Sequence, residues 1–444
     1  METGIYSDLA ISAPEILLPA RDADLSKWPV IACDQYTSEP AYWEETERLT
    51  ADVPSAFHII LPEVYLETLS KDLLDGKIDS INRTMNEYLS NGTLMSLPKG
   101  FILTDRATSL HPSRKGLVLS VDLEEYDFTP GNKKKIRATE GTVLSRIPPR
   151  VRIRRNAPLE VPHIMLLIDD PDFLVIDPAL KSLKASGTPP IYDIDLMQNG
   201  GHLLGYYTEA GSDIAEGIVG ALSRLLNESR DGLLFAVGDG NHSLATAKAH
   251  WEKLREGLSP EESFAHPARY ALVEVVNIHD EGLGFEPIHR VVFGLSPEEF
   301  YAAAGHSFAD QGFMFMPEDD WYGTKPATAA NAQIINVISG QDRYIAVLNH
   351  PAHTLAVGSL QNMLDHLLEE RRDIRIDYIH GEDSVLALSA SGNTGFLLPV
   401  IPKESFFRTV MTEGVFPRKT FSMGEAFEKR YYMEAKRITS EDSL

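Results

Sequence analysis

Cysteine is almost missing from this chain: Cys33 is the only one in 444 residues. A single thiol excludes an intramolecular disulfide and any thiolate-rich zinc or iron–sulfur site, and it fits a reducing compartment. Long apolar runs are missing too, since none approaches the ~18–20 residues needed to span a bilayer. Met1-Glu2 opens onto no apolar leader, so the reading is a cytosolic protein with no membrane role. Positive charge is scarce. Against 65 Asp and Glu stand 41 Lys and Arg, a formal net charge of −24 that argues against a large nucleic-acid footprint. Also absent are a Gly-x-x-x-x-Gly-Lys-Ser/Thr loop, a Gly-x-Gly-x-x-Gly after a first strand, and a His-Glu-x-x-His pair. P-loop nucleotide hydrolysis and zinc proteolysis therefore find no support. His242 and His250 are eight residues apart, a poor spacing for a metal pair on one helix.

What is present is ordinary globular material, 43% hydrophobic and 24% charged, with length for two or three domains. The first hundred residues read as mixed: strands at 15–19 and 29–33, then helices at 41–49 (capped by Ser38), 62–75 and 78–89. From Gly100 the apolar period becomes two, predicting strands at 101–105, 116–122, 151–155 and 163–169. A helix follows at 212–226, then strands at 270–278 and around 287–291, and a helix at 296–304. Strands at 333–338, 343–348 and 396–399 surround a helix at 360–371. Without strict βαβ alternation the class is α+β. The expected division is residues 1–300, carrying the main sheet-and-helix core, and a smaller α+β region over 301–444.

Charge is unevenly spread. Lys133 to Arg155 holds nine basic residues and one acid, Glu140. If 151–155 is a strand, Arg150, Arg152 and Arg154 present three guanidiniums on one face, a candidate grip for a phosphorylated ligand. The alternative is that these arginines pair with neighbouring acids.

The most informative stretch is Leu233–Ala247, LLFAVGDGNHSLATA. A buried strand runs into Gly238-Asp239-Gly240-Asn241-His242-Ser243, and a helical pattern starts at once. Glycines let a backbone approach a ligand, and the first helical N–H groups favour negative charge. Asn241 or Ser243 serves equally as a plain helix cap, with Asp239 complementing the dipole. Caps do not need imidazole, however, so His242 is a candidate phosphate donor or general acid/base. Asp239 is a candidate to orient it or to hold Mg²⁺. Three further segments carry chemistry: Pro287-Ile288-His289-Arg290, Thr139-Glu140-Gly141-Thr142 and Ala32–Ser38, in which Asp34 stands out.

Together these segments resemble the domain-of-unknown-function family 1015 (DUF1015), of the ParB/sulfiredoxin-like superfamily. Its hallmark, A-D-G-H-H-R-Y-x-T-A at a strand-to-helix turn, is matched by Gly238-Asp239-Gly240-Asn241-His242-Ser243-Leu244-Ala245-Thr246-Ala247. A downstream Asn, D-x-G-L and P-x-H-R pattern is matched by Asn277, Asp280–Leu283, Pro287 and His289-Arg290. The family's H-E-x-T is matched by Glu140 and Thr142, with Thr139 replacing the histidine. Cys33–Ser38 loosely echoes an N-terminal turn, and Phe416–Phe421 echoes a lysine-serine/threonine segment. At the turn this chain departs from the family: Asn241 replaces a histidine and Ser243 the arginine that would grip phosphate.

The resemblance implies a ParB/sulfiredoxin-like core whose turn binds nucleotide phosphates. One expectation is a nucleotide-dependent phosphotransferase acting on a small hydroxylated metabolite, with Mg²⁺ and ATP or ADP. His242, Asp239 and Glu140 are then the candidate catalytic residues. Gly238, Gly240, Asn241, Ser243, His289, Arg290 and Arg152 are the candidate anion-binding residues. The other expectation is a regulatory protein that binds a nucleotide or phosphorylated metabolite without turnover. DNA binding by analogy with ParB is disfavoured by the charge.

Overall fold

A computed structural model describes residues 4–142, 147–390 and 392–440, and it is a mixed α+β fold. Two compact units emerge, Met1–Leu283 with Gly424–Leu444, and Gly284–Met423. The sequence placed a division at residue 300; the units divide after Leu283, and the C-terminal segment belongs to the first. Among the described residues no helix is long and apolar enough to cross a membrane.

The first unit is built on a twelve-stranded mixed sheet. Its centre is the hairpin Leu94–Ala107 with Arg114–Asp122, followed by Tyr270–Asn277, Met165–Ile168 and Phe235–Asp239. Tyr270–Asn277 is buried along its whole length, as its nearly continuous apolar run, interrupted by Glu274, requires. Met165 pairs with Asp239 in register, so His163 and Ile164, just upstream, run beside the end of the Phe235–Asp239 strand. Ile136–Arg137 pairs in parallel on the other side of that strand.

Several expected elements are changed by tertiary context. The predicted strand at 151–155 is a helix, Ile147–Arg154, packed against the helix Asn241–Arg255. Alternating Arg and β-branched residues mimic a strand, but Pro148-Pro149 suit a helix's first turn and Ile153 gains an apolar partner surface. The helices expected at 62–75 and 78–89 become Val64–Thr68 and one continuous helix, Lys71–Ser90, which carries Gly76 inside it. Ser38 does not cap Pro40–Thr50, whose N-cap position is Glu39. Ser212 and Ser296 do cap their helices, accepting hydrogen bonds from Ala215 N and Glu299 N.

The C-terminal segment is drawn into the first unit by buried charge. Arg430 is 5% exposed and pairs with Glu274 and Glu434, each at 2.6 Å, while its Nε donates to Pro162 O. Glu274 also accepts from Thr104, and Glu434 from Tyr192. Arg106, itself buried, donates to the carbonyls of Phe427, Glu428 and Lys429. Tyr431-Tyr432 forms a short antiparallel ladder with Val30-Ile31.

The second unit is a seven-stranded antiparallel sheet centred on Phe285–Phe293, with helices Pro297–Ser307 and Ala356–Glu370. An aromatic group of Phe285, Phe406, Phe416 and Phe421 fills part of its core.

Burial pushes the Glu274 carboxyl up, and Arg430 with Arg114 more than offsets this, leaving it below the ordinary glutamate range. Its contribution to stability is therefore present above the unfolded glutamate range and lost as pH falls through the folded value. Arg430→Met strands two buried carboxylates and is expected to cost about 3–5 kcal/mol in urea unfolding. Without Arg430 burial raises the Glu274 carboxyl, so the variant's deficit relative to the native chain shrinks as pH falls and protons neutralise the stranded carboxylates; a deficit independent of pH contradicts the assignment.

Candidate functional site

The turn after Phe235–Asp239 is held by glycine. Gly240 has φ +79°, and a Cβ there would lie 3.0 Å from Ile164 Cα. It is the N-cap position of Asn241–Arg255, and no side chain caps this helix. The two cap candidates are used otherwise. Asn241 is buried and clasps the Ile136–Arg137 extension, its Oδ1 accepting from Thr139 N at 3.2 Å and its Nδ2 donating to Thr139 Oγ1 at 3.4 Å. Ser243 Oγ lies 2.8 Å from His163 Nε2.

Asp239 closes the strand. One oxygen accepts from Gly240 N at 2.8 Å, and the other pairs with Lys429 Nζ at 3.0 Å. Burial raises this carboxyl, but Lys429, His163 and the Gly240 N–H outweigh it, so Asp239 stays below its usual range and ionised. Lys429 therefore brings to the turn the positive charge that Ser243 does not supply. Sequence reasoning missed it because it stands nearly two hundred residues downstream in a segment with no motif.

Glu140 follows Thr139, so the Thr139–Asn241 clasp carries it to the same turn as Asp239 and His242. Glu140 and His242 are both half-buried. Among the described residues no group of three His, Cys, Asp or Glu stands ready for a metal. With Lys429 on Asp239, the donor set does not fit a built Mg²⁺ site.

His163 was another missed residue. Its Nδ1 lies 2.7 Å from the Tyr432 hydroxyl, which accepts from Cys33 N at 3.1 Å, and Asp34 Oδ2 is 4.0 Å from its Nε2. Burial pushes the Tyr432 hydroxyl well above its ordinary value and the Cys33 thiol up to about 12, so both keep their protons. Ser243, His163, Tyr432 and Cys33 line a cavity of about 170 Å³. Its other polar walls are Arg150, Arg154, Glu63, Glu160 and Thr246, and the rest is apolar, including Ile59, Leu66, Ile81, Met85 and Ile153.

The basic island is largely neutralised. Lys133 and Arg137 pair with Asp231, and Lys134 and Lys135 with Glu125. Arg150 pairs with Glu63, Arg152 with Asp75 and Arg154 with Glu160. On a helix, residues two apart point about 200° from each other, so Arg152 leaves the face shared by Arg150 and Arg154. Arg146 lies outside the described residues. His289 and Arg290 belong to the second unit. There Arg290 is fully buried, donating to the carbonyls of Ile288, Lys419 and Arg418 and to Gln361, and stacks over Tyr378. His289 Nδ1 accepts from Leu398 N. Gly238 is an interior residue of its strand.

A family model described as "Protein of unknown function (DUF1015)" matches residues 17–366, and the chain belongs to that family. No curated protein matches it. Solved structures resembling it include a conserved hypothetical protein from Pyrococcus furiosus, 12% identical with a TM-score of 0.34 over 74% of this chain and 97% of that one. A free serine kinase in complex with AMP is 11% identical, with a TM-score of 0.36 over 74% and 93%. SbnI from Staphylococcus aureus, with a C-terminal truncation, is 10% identical, with a TM-score of 0.36 over 72% and 87%.

Gly240→Ala places a side chain in the left-handed region and against the Ile164 backbone. It is expected to cost about 1–3 kcal/mol, read from chemical denaturation; a neutral result contradicts the tight approach of the two segments.

Proposed function

We propose that this member of the DUF1015 family binds a small phosphorylated ligand where the Gly238–Ser243 turn meets the Arg150–Arg154 cavity. The observation that carries the reading is Lys429, fixed by Asp239 at the N-terminal end of Asn241–Arg255. It adds a cation where the first-turn N–H groups already favour an anion. Arg154 supports the same reading, because its buried Nε has no acceptor among the described residues and stands in the cavity wall. A ParB/sulfiredoxin-like core and a cytosolic setting are parts of this proposal, the first supported by the strand–turn–helix order around Asp239-Gly240.

Size decides which ligand is favoured. A cavity of about 170 Å³ is below the ~300–1,000 Å³ usual for drug-sized ligands. It suits a phosphorylated metabolite of a few carbons, and a nucleotide such as ATP or ADP would keep its base outside. The apolar walls take the carbon body and the Ser243 end, toward the turn where Lys429 pairs with Asp239, takes the phosphate.

A second reading, nucleotide-dependent transfer to a small hydroxylated metabolite, is favoured by the Thr139–Asn241 clasp. It sets Glu140, Asp239 and His242 around one turn, where a carboxylate or imidazole can take an acceptor proton. No metal step is derived for this reading.

The test is thermal unfolding of the full chain with inorganic phosphate, glycerol 3-phosphate and ADP. At a concentration a hundred times Kd, a ligand stabilises by about 2.7 kcal/mol. Glycerol 3-phosphate is expected to raise Tm most, and Lys429→Met to weaken its binding about tenfold or more. No shift with any of the three, in a folded wild-type protein, removes the proposal.

A further inference from the structure

We propose that Ser243 is a nucleophile that accepts the phosphoryl group of a phosphomonoester, with His163 as its base and Tyr432 as the residue that orients that base. The inference rests on the phosphate-binding reading and deepens it.

A weak hydroxyl nucleophile needs a base within about 2.6–3.2 Å, and that base needs an orienting partner. Ser243 Oγ is 2.8 Å from His163 Nε2, and His163 Nδ1 is 2.7 Å from the Tyr432 hydroxyl. A base at Nε2 requires one direction along this chain. The Tyr432 hydroxyl has one proton to give and two lone pairs. One lone pair takes the Cys33 backbone N–H, and in the tautomer this role needs the other takes His163 Nδ1–H. Nε2 then carries the lone pair and accepts the Ser243 proton. Burial keeps both the tyrosine and the thiol protonated, so neither competes with His163 as the base.

In the first step the Ser243 Oγ–phosphorus bond forms, the ester oxygen–phosphorus bond breaks, and the serine proton moves to Nε2. His163 returns that proton to the departing alkoxide, which leaves as an alcohol. Asp34 Oδ2, 4.0 Å from Nε2, steadies the transient imidazolium. Water or a second hydroxyl then attacks phosphorus, His163 takes its proton and gives it to the released Ser243 oxygen. No oxidant or other reagent is needed. Lys429 and the first-turn N–H groups face the charge that develops on the phosphoryl oxygens.

The experiment treats the full chain with p-nitrophenyl phosphate, quenches in acid, and reads intact mass and the modified peptide. One phosphoryl group is expected on the peptide containing Ser243, absent in Ser243→Ala. His163→Gln is expected to slow its appearance about a hundredfold or more. Tyr432→Phe, which keeps the ring but not the acceptor, is expected to lower the rate with little change in phosphate affinity. An adduct that persists in Ser243→Ala overturns the inference. So does the absence of any adduct when phosphate still raises Tm, a result that leaves the binding reading intact. No adduct and no Tm shift together overturn both.

Discussion

The site depends on one buried cation. Arg430 sits among Glu274, Glu434 and the Pro162 carbonyl with almost no access to water. A buried charge is tolerated only when paired and hydrogen-bonded, so the segment around it has one place to go. Its close neighbours are thereby fixed. Lys429, one residue before, meets Asp239; Tyr432, two residues after, meets His163. The last segment of the first unit is thus not a tail but a structural wall of the candidate site. The same ion group reaches the central strand Tyr270–Asn277 through Glu274, tying the site to the most buried part of the sheet.

Around the Gly238–Ser243 turn three remote segments converge, each through a specific contact. Thr139 arrives through Asn241, His163 through Ser243, and Lys429 through Asp239. Gly240 is the geometric condition for the second of these, because only a residue without a side chain allows Ile164 so close. Electrostatically, Asp239 and Lys429 cancel at a distance but not locally: the carboxylate occupies Gly240 N and holds the ammonium in place. A protein of strongly negative net charge can in this way present one small positive locus.

Much of the fold was legible in the sequence, because apolar periodicity is strong where burial is complete. The strand 270–278 and the helix 212–226 appear within two residues of their expected ends. The turn itself was legible from glycine and from the abrupt change of period. The helix Ile147–Arg154 was not, since a two-residue alternation over five positions fits a strand as well, and only contact with Asn241–Arg255 decides between them. Asn241 and Ser243 looked like caps because local chemistry permits it, while their real partners are 80 and more residues away. Lys429, His163 and Tyr432 carried no local signal at all. The pairing of Arg152 with Asp75 and of Arg137 with Asp231 shows why the basic island was ambiguous: its partners are distant in sequence.

The most direct measurement of the account is a crystal structure of the chain with orthovanadate, which mimics a phosphoryl group in transfer. The account predicts vanadium within bonding distance of Ser243 Oγ, with its oxygens facing Lys429 Nζ and the first N–H groups of Asn241–Arg255. Vanadate bound elsewhere, with the Gly238–Ser243 turn and its cavity unoccupied, would contradict it.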